Sequence, residues 1–153
     1  MSSISKYMSP KLINLNLKAV DKGAALMKIC DMIAENHKIG EPKALFDNIM
    51  NRESLHSTAV GHGIAIPHAR CDLSESILIA VGLFDKGVEF SAADGTPVNL
   101  IFVIVSPKNE TASYLQLLSQ LASLLNVEKV RNELISAKTS QEFLEIVKKN
   151  ERR

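Results

Sequence analysis

The chain has 153 residues, 46% hydrophobic and 23% charged, with 18 basic against 17 acidic side chains and a formal charge of +1. These values suit a single domain over residues 1–153 with a sizeable core, and they exclude a disordered or collagen-like polypeptide. So balanced a charge sets up no global field for nucleic acid or an anionic membrane surface, and neither is expected as a partner.

The opening residues, Met1 to Lys6, lack the apolar core of a signal peptide, and the longest aliphatic stretch, Leu100 to Val105, is far too short to span a bilayer. A cytoplasmic protein with no direct membrane insertion is expected. After a lead in which Ile13, Leu15 and Leu17 alternate, Asp21 reads as the N-cap of a helix whose apolar positions are Ala25, Leu26, Ile29, Cys30 and Ile33. His37 suits that helix's C-terminal cap, and Gly40 is a stop signal beyond it. Pro42 fits the first turn of a second helix carrying Leu45, Phe46, Ile49 and Met50, which delivers Arg52 to its C-terminal end.

From Ser57 to Phe90 the pattern changes to short β-like runs, Ile64 to Ile66 and Ile77 to Phe84. Asp94-Gly95 marks a turn before Val98 to Val105, a continuous apolar run typical of a strand buried on both faces, which Ser106-Pro107 ends. Three amphipathic stretches follow: Thr111 to Leu125, Val127 to Ala137, and Ser140 to Lys149 with Thr139 or Ser140 as cap. Lys148 to Arg153 reads as a solvated, charged end. A strand buried on both faces needs cover on each side, and helices both precede and follow it. The expected fold is therefore α/β, a three-layer α/β/α sandwich around a central sheet. Cys30 and Cys71 lack the spacing of a disulfide framework or a zinc knuckle.

Of the four histidines, His56, His62 and His68 share one short segment, the fourth being His37. Pro67 restricts the backbone ahead of His68, and the apolar Ile64-Ala65-Ile66 anchors it. An imidazole is largely neutral at pH 7 and can attack phosphorus without a separate base. Gly61 and Gly63 lack a Cβ and would let the backbone approach an anion closely. A competing reading makes the three histidines a zinc site. Against it, Gly61, Gly63 and Pro67 break any regular strand between them, and no carboxylate lies among them to orient a ligand.

The segment Ser57-Thr58-Ala59-Val60-Gly61-His62-Gly63-Ile64-Ala65-Ile66-Pro67-His68 resembles the active-site signature of the fructose–mannitol type of phosphotransferase-system enzyme IIA, in which the phosphorylated histidine follows Gly-x-Ala-x-Pro. The likeness extends to the helix near Asp21-Lys22, the Arg52 helix end, the Asp94 to Val98 turn and the helix holding Leu115 to Leu118, and it is greatest to stand-alone nitrogen-regulatory members. It implies a phosphohistidine carrier with a mixed central sheet and no cofactor or metal. His68 would take a phosphoryl group from a histidine-containing carrier protein (HPr/NPr-like) and pass it to a downstream IIB component or a regulated target. Arg52 falls where the family carries an arginine beside the phosphorylated histidine, and would stabilise the phosphoryl charge. Thr58, Gly61, Gly63 and Tyr114 complete the candidate phosphate pocket. Tyr114 stands where many members carry a second histidine; its hydroxyl could donate to the phosphate, or its ring could simply pack. Two other readings remain: a sugar-specific enzyme IIA acting in trans with a permease, and a non-catalytic interaction module switched by phosphorylation.

Overall fold

The computed structural model describes residues 3–151, so that Met1, Ser2, Arg152 and Arg153 of the expected leaderless start and charged end lie outside the described residues. The alternating lead forms an edge strand, β1 (Ile13–Leu17), after two short 3-10 turns, Ile4–Tyr7 and Pro10–Leu12. Helix α1 (Lys22–Asn36) starts where expected, the Asp21 carboxylate accepting from the Ala24 amide at 2.8 Å, and His37 caps its other end by donating its backbone N–H to Ile33. Helix α2 (Pro42–Glu53) takes Pro42 at its first position and ends one residue after Arg52.

The β-like region resolves into β2 (Ala59–Gly61), β3 (Ile64–Ala65), β4 (His68–Arg70) and the long β5 (Leu78–Val88). The buried run is β6 (Val98–Ser106), and the C-terminal stretches are α3 (Thr111–Leu125), α4 (Glu128–Ile135) and α5 (Ser140–Glu151). Thr139 rather than Ser140 caps α5, its hydroxyl accepting from the Glu142 amide at 3.0 Å, because the Ser140 hydroxyl is spent on the Ile13 carbonyl at 2.7 Å.

The sheet is mixed, with order β1-β5-β6-β3-β2 and β4 continuing the line of β3 along β6. β5 and β6 pair antiparallel, while β3 and β4 both run parallel to β6. Successive side chains on β6 alternate between two cores, as strand geometry requires. Leu100, Phe102 and Ile104 pack with α3, α4 and α5, whereas Ile101, Val103 and Val105 pack with α1 and α2. These two cores make the three-layer α/β/α sandwich. Cys30 and Cys71 are both buried free thiols, and burial, with Asp31 adding to it, pushes Cys30 up to about 12. No described helix is long and apolar enough to cross a membrane.

Candidate functional site

Pro67 cannot donate to a ladder, and the strand that begins at Ile64 therefore breaks there and resumes as β4. The alternation of sides nevertheless runs through the break. Ala65 and Ala69 face the α1/α2 core, and Ile64 and Ile66 face the α3 side. His68 and Arg70 alternate with Ala69 and so emerge on the α3 side at the end of the sheet.

The His68 ring is half-buried and is hydrogen-bonded from Nδ1 to the Ile66 carbonyl at 2.9 Å. A carbonyl only accepts, so Nδ1 carries the proton and the neutral ring keeps its lone pair on Nε2. Burial lowers the His68 pKa; the Ile66 carbonyl opposes this, Arg52 lowers it further, Glu53 raises it and His56 lowers it, with the balance below 6.5. At neutral pH the ring is an uncharged nucleophile with Nε2 available.

Tyr114, in the first turns of α3 and only 4% exposed, sets its ring against His68 with centroids 6.0 Å apart and planes at 58°. The Arg70 guanidinium lies over the same ring, its carbon 5.2 Å from the centroid. Arg70 also donates to the Lys108 carbonyl at 2.7 Å and to the Thr111 hydroxyl, fastening β4 to the start of α3. The packing role foreseen for Tyr114 is thus occupied. Burial also raises its pKa, keeping the phenol protonated and able to donate. Arg52, half-buried, donates to the His56 carbonyl at 3.4 Å and stands near enough for its charge to act on both His68 and Tyr114.

Beneath Arg52 lies a group that sequence reasoning missed. Glu53 is 4% exposed, and its carboxylate meets the Lys22 ammonium at 2.9 Å and the Thr58 amide at 3.1 and 3.2 Å. It also accepts from the Thr58 hydroxyl. The Thr58 amide and hydroxyl, expected to face a phosphate, are therefore both engaged by Glu53.

Gly61 and Gly63, expected near a phosphate, form a turn instead of lining the His68 ring. They flank His62 in the β2–β3 turn with φ of +89° and +78°, and His62 itself has φ +58°. Their freedom is used to make that turn, which Asp94 clasps by accepting from the His62 amide at 3.0 Å. Hydrogen bonds to the Thr96 side chain, the His62 amide and the Thr96 amide hold the Asp94 carboxyl down to about 2. Gly63 lies level with Asn99 on β6, whereas His68 lies level with Ile104. Five strand residues separate those levels, or roughly 16 Å, so neither glycine reaches the His68 ring. The same distance removes His62 from His68, and no group of three or more potential metal ligands occurs among the described residues.

One signal could have found one of the two missed residues. Arg70 follows His68 by two positions in a strand, which puts both on one face. Glu53 adjoins Arg52 at a helix end, but nothing in its hydropathy marks it as buried.

Residues 6–150 match the family described as phosphoenolpyruvate-dependent sugar phosphotransferase system, EIIA 2. A nitrogen regulatory protein of Pseudomonas aeruginosa is 35% identical over 147 residues, covering 96% of each chain. A fructose-specific EIIA component of Haloferax volcanii is 30% identical over 147 residues, again covering 96% of each. The crystal structure of nitrogen regulatory protein IIA-Ntr from Neisseria meningitidis superposes with a TM-score of 0.88 at 28% identity, covering 94% of this chain and 98% of that one.

Proposed function

The chain belongs to the EIIA 2 family of the phosphoenolpyruvate-dependent sugar phosphotransferase system, and on that premise we propose that it carries its phosphoryl group on Nε2 of His68. The observation that carries this reading is the Nδ1 contact to Ile66 at 2.9 Å, which fixes the tautomer and leaves Nε2 as the reactive nitrogen. As Nε2 bonds to phosphorus, the leaving nitrogen of the donor takes back its electron pair and the His68 ring gains positive charge. The Ile66 carbonyl, accepting from Nδ1, favours that charged ring. Arg52 faces the opposite charge, which a loose transfer state spreads over three equatorial oxygens, and its planar fork can meet two of them.

The phosphoryl donor is a histidine-phosphorylated carrier protein of the HPr/NPr kind, and the acceptor is a IIB component or a regulated target. The match over residues 6–150 supports one such domain spanning residues 1–153. Relatives named nitrogen regulatory span 29–35% identity and relatives named fructose-specific stand at 30%, with the highest value on the nitrogen side. We favour the regulatory role on that difference, with the sugar-specific component as the alternative.

The test is labelling by phosphoenolpyruvate through the general phosphotransferase components. One phosphoryl group, stable in base and labile in acid, is expected on the wild type and none on His68→Ala. Full labelling of His68→Ala would overturn the assignment. Discharge of the label to a fructose IIB component would favour the sugar-specific role over the regulatory one.

A further inference from the structure

The phosphoryl site rests on a buried carboxylate that touches no reacting atom. Glu53 Oε2 takes the Lys22 ammonium at 2.9 Å and the Thr58 amide at 3.1 Å, while Oε1 takes the Thr58 hydroxyl and the same amide at 3.2 Å. Thr58 in turn accepts from the Ile66 amide through its carbonyl at 3.1 Å, and the Ile66 carbonyl accepts from His68 Nδ1 at 2.9 Å. A continuous hydrogen-bonded path thus leads from Glu53 to the imidazole.

We propose, resting on the assignment of His68 as the phosphorylated residue, that Glu53 is a positioning residue for phosphoryl transfer: by fixing Thr58 it fixes Ile66 and holds the His68 ring with Nε2 outward.

The simpler view, a buried ion pair kept for stability, explains less. Removing two charges from water offsets most of what their attraction contributes, so a pair of this kind is a weak stabiliser. Lys22 is also the first residue of α1, where a positive charge opposes the helix dipole. That placement is unfavourable for α1 by itself and becomes useful once Glu53 needs a counter-ion. The Lys22 ammonium lies 4.7 Å over the Phe90 ring, and Ser57 donates to the Phe90 carbonyl at 2.7 Å. Both ends of the 54–58 loop are thereby tied down between α2 and β2. Glu53 directly follows Arg52, so anchoring its carboxylate also anchors the turn that presents the guanidinium.

The test compares wild type, Glu53→Gln, Thr58→Val and His68→Ala, using a phosphorylated histidine carrier of the general system as donor. Glu53→Gln should lower kcat about ten- to a hundredfold, the range expected when a reacting group is misplaced by a fraction of its length. KM for the donor should not change, since a side chain this buried cannot touch a partner. Nitrogen-15 shifts of the His68 ring should show the Nδ1–H tautomer giving way to a mixture. Thr58→Val removes the hydroxyl bond at nearly constant shape, and a severalfold loss of kcat with the same tautomer change is expected. That variant carries the test should Glu53→Gln fail to fold. Wild-type kcat and tautomer in both variants, with only the melting temperature lowered, would reduce Glu53 to a structural ion pair and overturn the proposal. A label retained by His68→Ala would instead sink the assignment on which it rests.

Discussion

The protonation of His68 provides a quantitative test, because the structure sets the direction of its pKa through groups that can be changed one at a time. Burial disfavours the imidazolium and brings the pKa below 6.5, with Arg52 and His56 acting in the same direction and Ile66 and Glu53 against them. Only the neutral ring has a lone pair on Nε2, so phosphoryl acceptance should be flat at neutral pH and decline as pH falls through the lowered pKa. A histidine titrating at 6.5 is about one-tenth neutral at pH 5.5. His68 should therefore keep more than about a tenth of its plateau rate at that pH. The assay is acceptance at saturating phosphorylated carrier from pH 8 to pH 5, with the donor's own pH response measured separately. Carbon-13 titration of the imidazoles would accompany it, with His68 assigned through His68→Gln. Arg52→Ala should move the midpoint up and Glu53→Gln should move it down. The same shift bears on stability: between the folded and unfolded pKa values the unfolded chain binds more protons, so His68 makes the fold less stable as pH falls below 6.5. His68→Gln should flatten that part of the melting profile. A midpoint above 6.5 in the native protein would refute the argument, since it would mean that burial does not govern the ring.

Three further outcomes follow from the packing. Arg52→Ala and Arg52→Lys should each slow transfer about ten- to a hundredfold, corresponding to a lost charge-assisted contact of about 1.5–3 kcal/mol, while melting stays near wild type; single-turnover kinetics beside thermal melting would check both. Tyr114→Ala should cost about 3–5 kcal/mol in denaturant unfolding because it empties a buried aromatic site, whereas Tyr114→Phe keeps the ring against His68 and isolates the hydroxyl, so a transfer defect in the Phe variant would show that the phenol touches the phosphoryl group. Gly63→Ala forces a Cβ into φ +78° and to within 3.2 Å of the Asn99 side chain, and should destabilise by about 1–2 kcal/mol without slowing transfer by the folded protein; a transfer defect at unchanged stability would bring the β2–β3 turn back into the phosphate pocket.

How far the sequence could be read depended on whether a signal is local. The start of α1 at Asp21, the start of α2 at Pro42 and the doubly buried β6 were all legible, because caps, proline and hydrophobic period act over a few residues. The three-layer order followed from them, since a strand apolar on both faces allows few other arrangements. The positions of Gly61 and Gly63 were not legible. A glycine pair beside a candidate nucleophile has the same local appearance whether it cradles an anion or turns a chain, and only the register against β6 separates the two. That register is set by pairings such as Ile64 with Leu100, contacts between residues distant in the chain. Glu53 was hidden for a related reason: a carboxylate at a helix end is ordinarily solvated, and its burial depends on Lys22 arriving from α1 and Thr58 from the end of the 54–58 loop. Arg70 is different, because strand alternation alone puts it beside His68, without any tertiary information. The part of the site that lies on one strand could thus be inferred from spacing, while the part assembled from α1, α2 and the 54–58 loop had to be seen. Glu53 belongs to the second part, and every partner its carboxylate has is supplied by the assembled fold.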